Sequence, residues 1–120
     1  MKAFFMSSLY ILLSLAPSLH SESPPQAASC LDLGDTSGSQ RNTCEKNGKR
    51  FLITEFFSPT CSHCRANASE FKKLELEIKD FAHTRLISLG SLPHTLSFLG
   101  SYAISTETVL DTSREAMNAY

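Results

Sequence analysis

No stripe of lysine or arginine runs along this 120-residue chain, so nothing in it points to a nucleic-acid partner. Eleven basic and twelve acidic residues leave a formal charge of −1, which becomes −2 without Lys2. The charges mixed through residues 70–80 read as an ordinary solvated helix face. No internal repeat is present. No apolar run is long enough for a clear membrane span either. Ala3 to Ala16 is apolar apart from three serines and a tyrosine, and it ends abruptly at Pro17. Residues 1–21 instead have the form of an export signal. Lys2 is its positive end, and Pro17, Ser18 and Ser21 form a small-residue cleavage region. The alternative is an uncleaved N-terminus that anchors the chain to a membrane. About 99 residues follow, enough for one small domain with a modest core.

Four cysteines after an export signal fit an oxidising compartment, periplasmic or extracellular, where disulfides persist. Two of them, Cys30 and Cys44, lie in a leader over residues 22–50. Its first part, Glu22 to Ser29, is small, polar and proline-bearing, as a flexible segment would be. Gly34, Gly38, Asn42, Asn47 and Gly48 then predict loop or irregular structure up to residue 50. A Cys30–Cys44 disulfide would close a loop worth about 3 kcal/mol by chain entropy. Two other fates are open for these thiols. Ala27-Ala28-Ser29 before Cys30 faintly matches a lipoprotein cleavage box, and one of the two could exchange with the remaining cysteines.

The remaining pair is Cys61-Ser62-His63-Cys64. The apolar run Phe51 to Phe57, bounded by Gly48 and by Ser58-Pro59, predicts a strand covered on both faces. From Ser62 to about Ala82 the pattern turns helical, with Phe71, Leu74, Ile78 and Phe81 on one face. The thiols therefore sit where a strand ends and a helix begins. The first amides of a helix lack intrahelical partners and carry partial positive charge, which favours a thiolate at Cys61. Cys64 is one turn further on, within reach to resolve a mixed disulfide formed by Cys61. Arg85 to Leu89 predicts a second strand. Pro93 opens a helix with Leu96, Leu99 and Tyr102 on its apolar face, and Thr108 to Leu110 a short third strand. Asp111 or Thr112 can cap a last helix, Ser113 to Tyr120. The alternation predicts an α/β layer fold with parallel strands.

Other chemistries fit less well. Cys61 and Cys64 with Cys30, Cys44 or a histidine could hold zinc or copper(I), but there is no second Cys-x-x-Cys. Haem attachment needs a histidine directly after Cys64, where Arg65 stands. His20, His83 and His94 have no partner in the local pattern and read as surface residues.

At the strand–helix junction carrying Cys61 and Cys64 the chain resembles the thioredoxin superfamily, and within it the exported TlpA/redoxin-like thiol-disulfide oxidoreductases. Ile53 to Cys61, the helix after Arg65, and the tail from Phe98 to Ala116 with Tyr120 carry the likeness, which covers about residues 49–120. The resemblance implies that residues 51–120 form a thioredoxin-like domain exchanging protein thiols and disulfides, restored by a redox partner protein. No organic cofactor is required, because the cysteine pair is the redox centre. Cys61 would be the nucleophile and Cys64 the resolving thiol. Glu55, six residues earlier, would match the buried acid that handles the resolving proton. His63, when protonated, would stabilise the thiolate and make the pair more oxidising. Several positions depart from the pattern. Thr60 replaces an aromatic residue, while Asn67 and Ser69 stand where an acid and a proline are usual. The resemblance also implies a Gly-Val-x-x-x-Pro segment, a β-hairpin and a closing helix that this sequence does not contain. The expectation is an incomplete fold with an exposed first strand, and the rival reading is a non-catalytic remnant.

Overall fold

The computed structural model describes residues 30–120, so the export signal of residues 1–21 and the proline-bearing stretch of residues 22–29 lie outside the described residues. The elements are β1 (Asp32–Gly34), β2 (Gln40–Asn42), β3 (Phe51–Phe57), α1 (Ser62–Ile78), β4 (Ala82–Ser88), α2 (Leu92–Ser101), β5 (Thr108–Leu110) and α3 (Glu115–Ala119). Three parallel strands form the main sheet in the order β3-β4-β5. The pairing runs in register from Phe51 opposite Ala82 to Phe57 opposite Ser88. This is the expected β-α-β-α-β-α order, with a hairpin added in front.

That hairpin corrects the reading of residues 30–50 as irregular leader. β1 and β2 pair antiparallel, with Leu33 opposite Arg41. Asp35 holds the turn: its Oδ1 accepts from the amides of Ser37 at 2.8 Å and Ser39 at 2.9 Å, and its Oδ2 from Arg41 Nε at 3.0 Å. These donors keep the Asp35 carboxyl well below the usual carboxylate range, with the Ser37 side chain the largest contributor. Below the strands, the Thr43 amide donates to the Leu31 carbonyl at 2.7 Å, and Thr43 Oγ1 accepts from the Leu31 amide at 2.8 Å. The Cys30–Cys44 disulfide closes the same end, with the Cα atoms 5.3 Å apart. The bridge is the first of the fates expected for these two thiols, and a thioether at Cys30 Sγ would exclude it.

Successive residues of β4 face opposite layers, as the pleat requires. Leu86 packs with Phe57, Ala68, Phe71, Phe98, Leu99 and Ile104 in the layer that holds α1 and α2. Ile87 packs on the other face with Leu33, Val109 and Ala116, bringing the hairpin and α3 together. The central strand is thus β4, although it is the more polar one: Thr84, Arg85 and Ser88 are all buried. The strand starts at Ala82, three residues before the expected Arg85, because His83 and Thr84 are polar yet lie inside it. β3, whose apolar run alone reads as a strand covered on both faces, is an edge strand, as the incomplete fold implied, with half-buried residues from Leu52 to Phe56. Among the described residues no strand pairs with its other edge.

The helices also end differently from the periodicity. α1 stops at Ile78, where the Phe81 amide turns back to the Ile78 carbonyl at 3.1 Å. Phe81 is 47% exposed and meets Phe51 edge-on, and Leu74 and Leu96 are likewise exposed. α3 starts at Glu115 behind Arg114, which takes a left-handed φ of 61°. Arg114 holds the N-cap position, and Asp111 caps the helix through its carboxylate, as expected, accepting from the amides of Ala116 at 3.1 Å and Met117 at 2.9 Å.

Candidate active site

β3 delivers the chain to the turn Ser58-Pro59-Thr60, where the Cys61 amide donates to the Ser58 carbonyl at 3.0 Å. Pro59 is buried under Gly90, and a Cβ on Gly90 would lie 2.6 Å from Pro59 Cδ. Gly90 is itself held by its amide, which donates to Ser88 Oγ at 3.2 Å, and Ser88 Oγ lies 2.6 Å from the buried Thr95 hydroxyl. The end of β4 and the start of α2 therefore set the position of the turn before the cysteines.

Cys61 is the N-cap of α1, with extended backbone (φ −76°, ψ 122°). Its Sγ accepts from the Cys64 amide at 3.2 Å, the place a serine or aspartate oxygen takes at other helix starts. Hydrogen bonding by the Cys64 side chain lowers the Cys61 thiol pKa most, followed by the Cys64 and His63 amides. Cys64 shifts the other way. Burial is the first cause, followed by the hydrogen bond to Cys61, and the Glu55 charge adds to both. Both thiols are free. The negative charge of the pair belongs on Cys61.

Glu55 is half-buried on β3, and burial raises its pKa. It lines with Cys64, Phe57 and Leu86 a small space of about 10 Å³, room for one water molecule at most. His63 lies exposed at the second position of α1. Among the described residues its imidazole has no hydrogen-bond partner. Cys30 and Cys44 are tied to each other and cannot join Cys61 and Cys64 around a metal. No group of three or more potential ligands is gathered among the described residues.

A second feature, marked by no local sequence pattern, lies beside the thiols. A cavity of about 310 Å³ opens between the Pro59-Thr60 turn, the first turn of α1 and one side of α2. Phe98 and Tyr102 form its aromatic wall, their rings 5.0 Å apart. Arg65 and His94 supply its basic groups. Arg65 Nε donates to the Pro59 carbonyl at 3.3 Å, and His94 Nδ1 lies 3.1 Å from Ser91 Oγ. His94 is exposed, as expected of a surface residue, whereas His83 is half-buried 3.4 Å from Glu107.

No family model matches the chain. Among solved structures, it superposes on a secreted Mycobacterium tuberculosis disulfide oxidoreductase homologous to E. coli DsbE, with a TM-score of 0.66 and 15% identity. That match covers 75% of this chain and 66% of the other. A thiol-disulfide oxidoreductase from Bacteroides fragilis matches with a TM-score of 0.67 and 21% identity, over 78% of this chain and 73% of that one. The thioredoxin domain of a Bacteroides vulgatus thiol-disulfide oxidoreductase matches at 0.65 and 18%, over 78% and 69%. The chain thus spans about two thirds of the length of these structures. No helix among the described residues is long and apolar enough to cross a membrane. In its strand order, its helix positions and the junction that carries Cys61, the chain has a thioredoxin-like fold of the kind found in DsbE-like thiol-disulfide oxidoreductases.

Proposed function

We propose that this chain is an exported thiol-disulfide oxidoreductase that acts on protein disulfides or dithiols. The observation that carries the reading is the capping contact, Cys61 Sγ accepting from the Cys64 amide at 3.2 Å with the Cys61 pKa lowered and that of Cys64 raised. In the reducing direction the Cys61 thiolate attacks one sulfur of a substrate disulfide. A Cys61–substrate disulfide forms and one substrate thiolate leaves. Cys64 then attacks Cys61 Sγ, releasing the second substrate thiolate and leaving a Cys61–Cys64 disulfide. Cys64 must lose a proton as it attacks, and Glu55 is the base on hand: a half-buried carboxylate lining the same space, with its pKa raised toward neutrality. His63 tunes the pair through its charge when protonated. A redox partner protein restores the starting state, and no organic cofactor enters.

The test uses the full chain with insulin as the disulfide substrate. Cys64→Ser is expected to accumulate a covalent complex with the substrate, and Cys61→Ser to form none. Redox equilibrium against glutathione then assigns the direction. A midpoint of about −120 to −180 mV marks an oxidase or isomerase, and one near about −270 mV a reductant. If neither a mixed disulfide nor a reversible transition is found, the chain is a non-catalytic remnant of the fold.

A further inference from the structure

The cavity beside Cys61 has a one-sided chemistry. Arg65 and His94 line it together with the hydroxyl-bearing residues Thr60, Ser97, Ser101 and Tyr102, and none of the residues lining it is acidic. Arg65 is held only through Nε, by the Pro59 carbonyl. Among the described residues its terminal nitrogens meet no carboxylate within ion-pair distance, and His94 Nε2 has no hydrogen-bond partner. Lys72 adds a further cation nearby, its Nζ donating to the Tyr102 carbonyl at 3.3 Å. Thr60 and Arg65, on either side of the Cys61–Cys64 stretch, both form part of the wall, so the cavity borders the segment that carries the attacking sulfur.

We propose that this cavity is a carboxylate subsite: the chain prefers disulfides that carry a carboxylate close to the sulfur that Cys61 attacks. The proposal rests on the redox reading and names the substrate class for the same thiol pair. The preference runs against the intrinsic chemistry. A thiolate repels an anionic disulfide, so without Arg65 and His94 such a substrate reacts more slowly than a neutral one of equal size. With them, the carboxylate accepts from the guanidinium while the Cys61 thiolate attacks the nearer sulfur. One small thiolate leaves, and attack by Cys64 on Cys61 Sγ releases the second. The disulfide gains two electrons and the Cys61–Cys64 dithiol loses them. The carboxylate can belong to a small thiol compound or to an acidic residue beside a protein disulfide.

Single-turnover oxidation of the Cys61–Cys64 dithiol in the full chain tests this, using dithiodipropionate, hydroxyethyl disulfide and cystamine as anionic, neutral and cationic probes. A disulfide-closed peptide with Glu beside its cysteine, compared with its Gln counterpart, forms the second arm. The readout is the ratio of anionic to neutral rate, in which any change in Cys61 ionisation cancels. Arg65→Gln is expected to lower that ratio about fivefold and His94→Gln by a smaller factor, as suits exposed cations. Lys73→Gln, on the Glu70 ion pair elsewhere on α1, is the charge control and leaves the ratio in place. A preference in the first arm alone assigns a small thiol compound, and one in the second arm assigns a protein substrate. No anionic preference in either arm, or a preference that persists in Arg65→Gln/His94→Gln, overturns the subsite while leaving the redox reading intact. Failure of every probe to oxidise the pair would instead overturn the redox reading.

Discussion

Arg85 Nη1 donates to the carbonyl of Asn42 at 2.7 Å, joining the buried middle of β4 to the end of β2. The same guanidinium donates through Nε to Glu107 Oε1 at 2.8 Å. Nη2 also lies 2.8 Å from that oxygen, at an angle too poor for a hydrogen bond. One fully buried cation therefore ties the hairpin, the central strand and the approach to β5. Removing it leaves the carboxyl of Glu107 beside the core with His83, 3.4 Å away, in place of the guanidinium. Arg85→Met is expected to cost about 3 kcal/mol or more in urea unfolding. A loss below about 1 kcal/mol would show that the joint does not hold the hairpin.

The disulfide acts on the same unit from the other end. The double substitution Cys30→Ser/Cys44→Ser is expected to lower unfolding free energy by about 3 kcal/mol, mostly by freeing the unfolded chain. Alkylation of Cys61 in the molecules that remain folded should proceed as in the parent, since the bridge does not touch the thiol pair.

Alkylation also separates the two free thiols. Cys61 is expected to react with iodoacetamide with a midpoint below the ordinary thiol range, because its thiolate accepts from the Cys64 amide. Cys64 should need higher pH, because burial opposes its ionisation. Equal pH profiles for the two, read by peptide mass, would contradict the capping contact.

Glu55 makes stability depend on pH in a definite sense. Burial raises its folded pKa above that of an exposed glutamate, so the folded state holds a proton that the unfolded state has released. Between the two values stability falls as pH rises, and it levels off above the folded one. Glu55→Gln should remove this descent and be the more stable protein at neutral pH. It should also slow the release of a substrate trapped on Cys61, if Glu55 takes the Cys64 proton. Parallel stability curves for the two proteins would count against its burial.

Gly90 offers a steric test far from the thiols in sequence. Its substitution by alanine places a methyl 2.6 Å from the Pro59 ring, which has no flexible end to swing aside. Gly90→Ala is expected to cost about 1–3 kcal/mol and to slow Cys61 by displacing the turn that aims it. Unchanged alkylation kinetics would show that the turn is set elsewhere.

Legibility followed the kind of information each element needs. Phe51–Phe57 was readable to the residue, because an apolar run between Gly48 and Ser58-Pro59 is a local signal. The placing of Cys61 and Cys64 followed from the same junction. β1 and β2 were not readable: they are three residues each, contain one buried side chain in Leu33, and are held by partners as distant as Arg85. The first three residues of β4 were hidden for the opposite reason, since half-buried His83 and buried Thr84 look like surface residues until their partners are known. Leu74, Phe81 and Leu96 obey a helical period yet stay exposed, because periodicity shows which residues share a face and not what covers it. Arg65 and His94 line one cavity from two helices, a proximity no local pattern encodes.

The capping role of Cys61 sets chemistry against helix stability. Sulfur is a weaker acceptor than a hydroxyl oxygen, and serine ranks among the favoured residues at a helix start. Cys61→Ser, which removes the proposed nucleophile, therefore also installs the better cap. That variant is expected to be the firmer protein, with slower amide exchange at Cys64 and along the first turn of α1. On the redox reading this one position trades rigidity for reactivity, and the substitution that firms the helix start takes the reactive sulfur away.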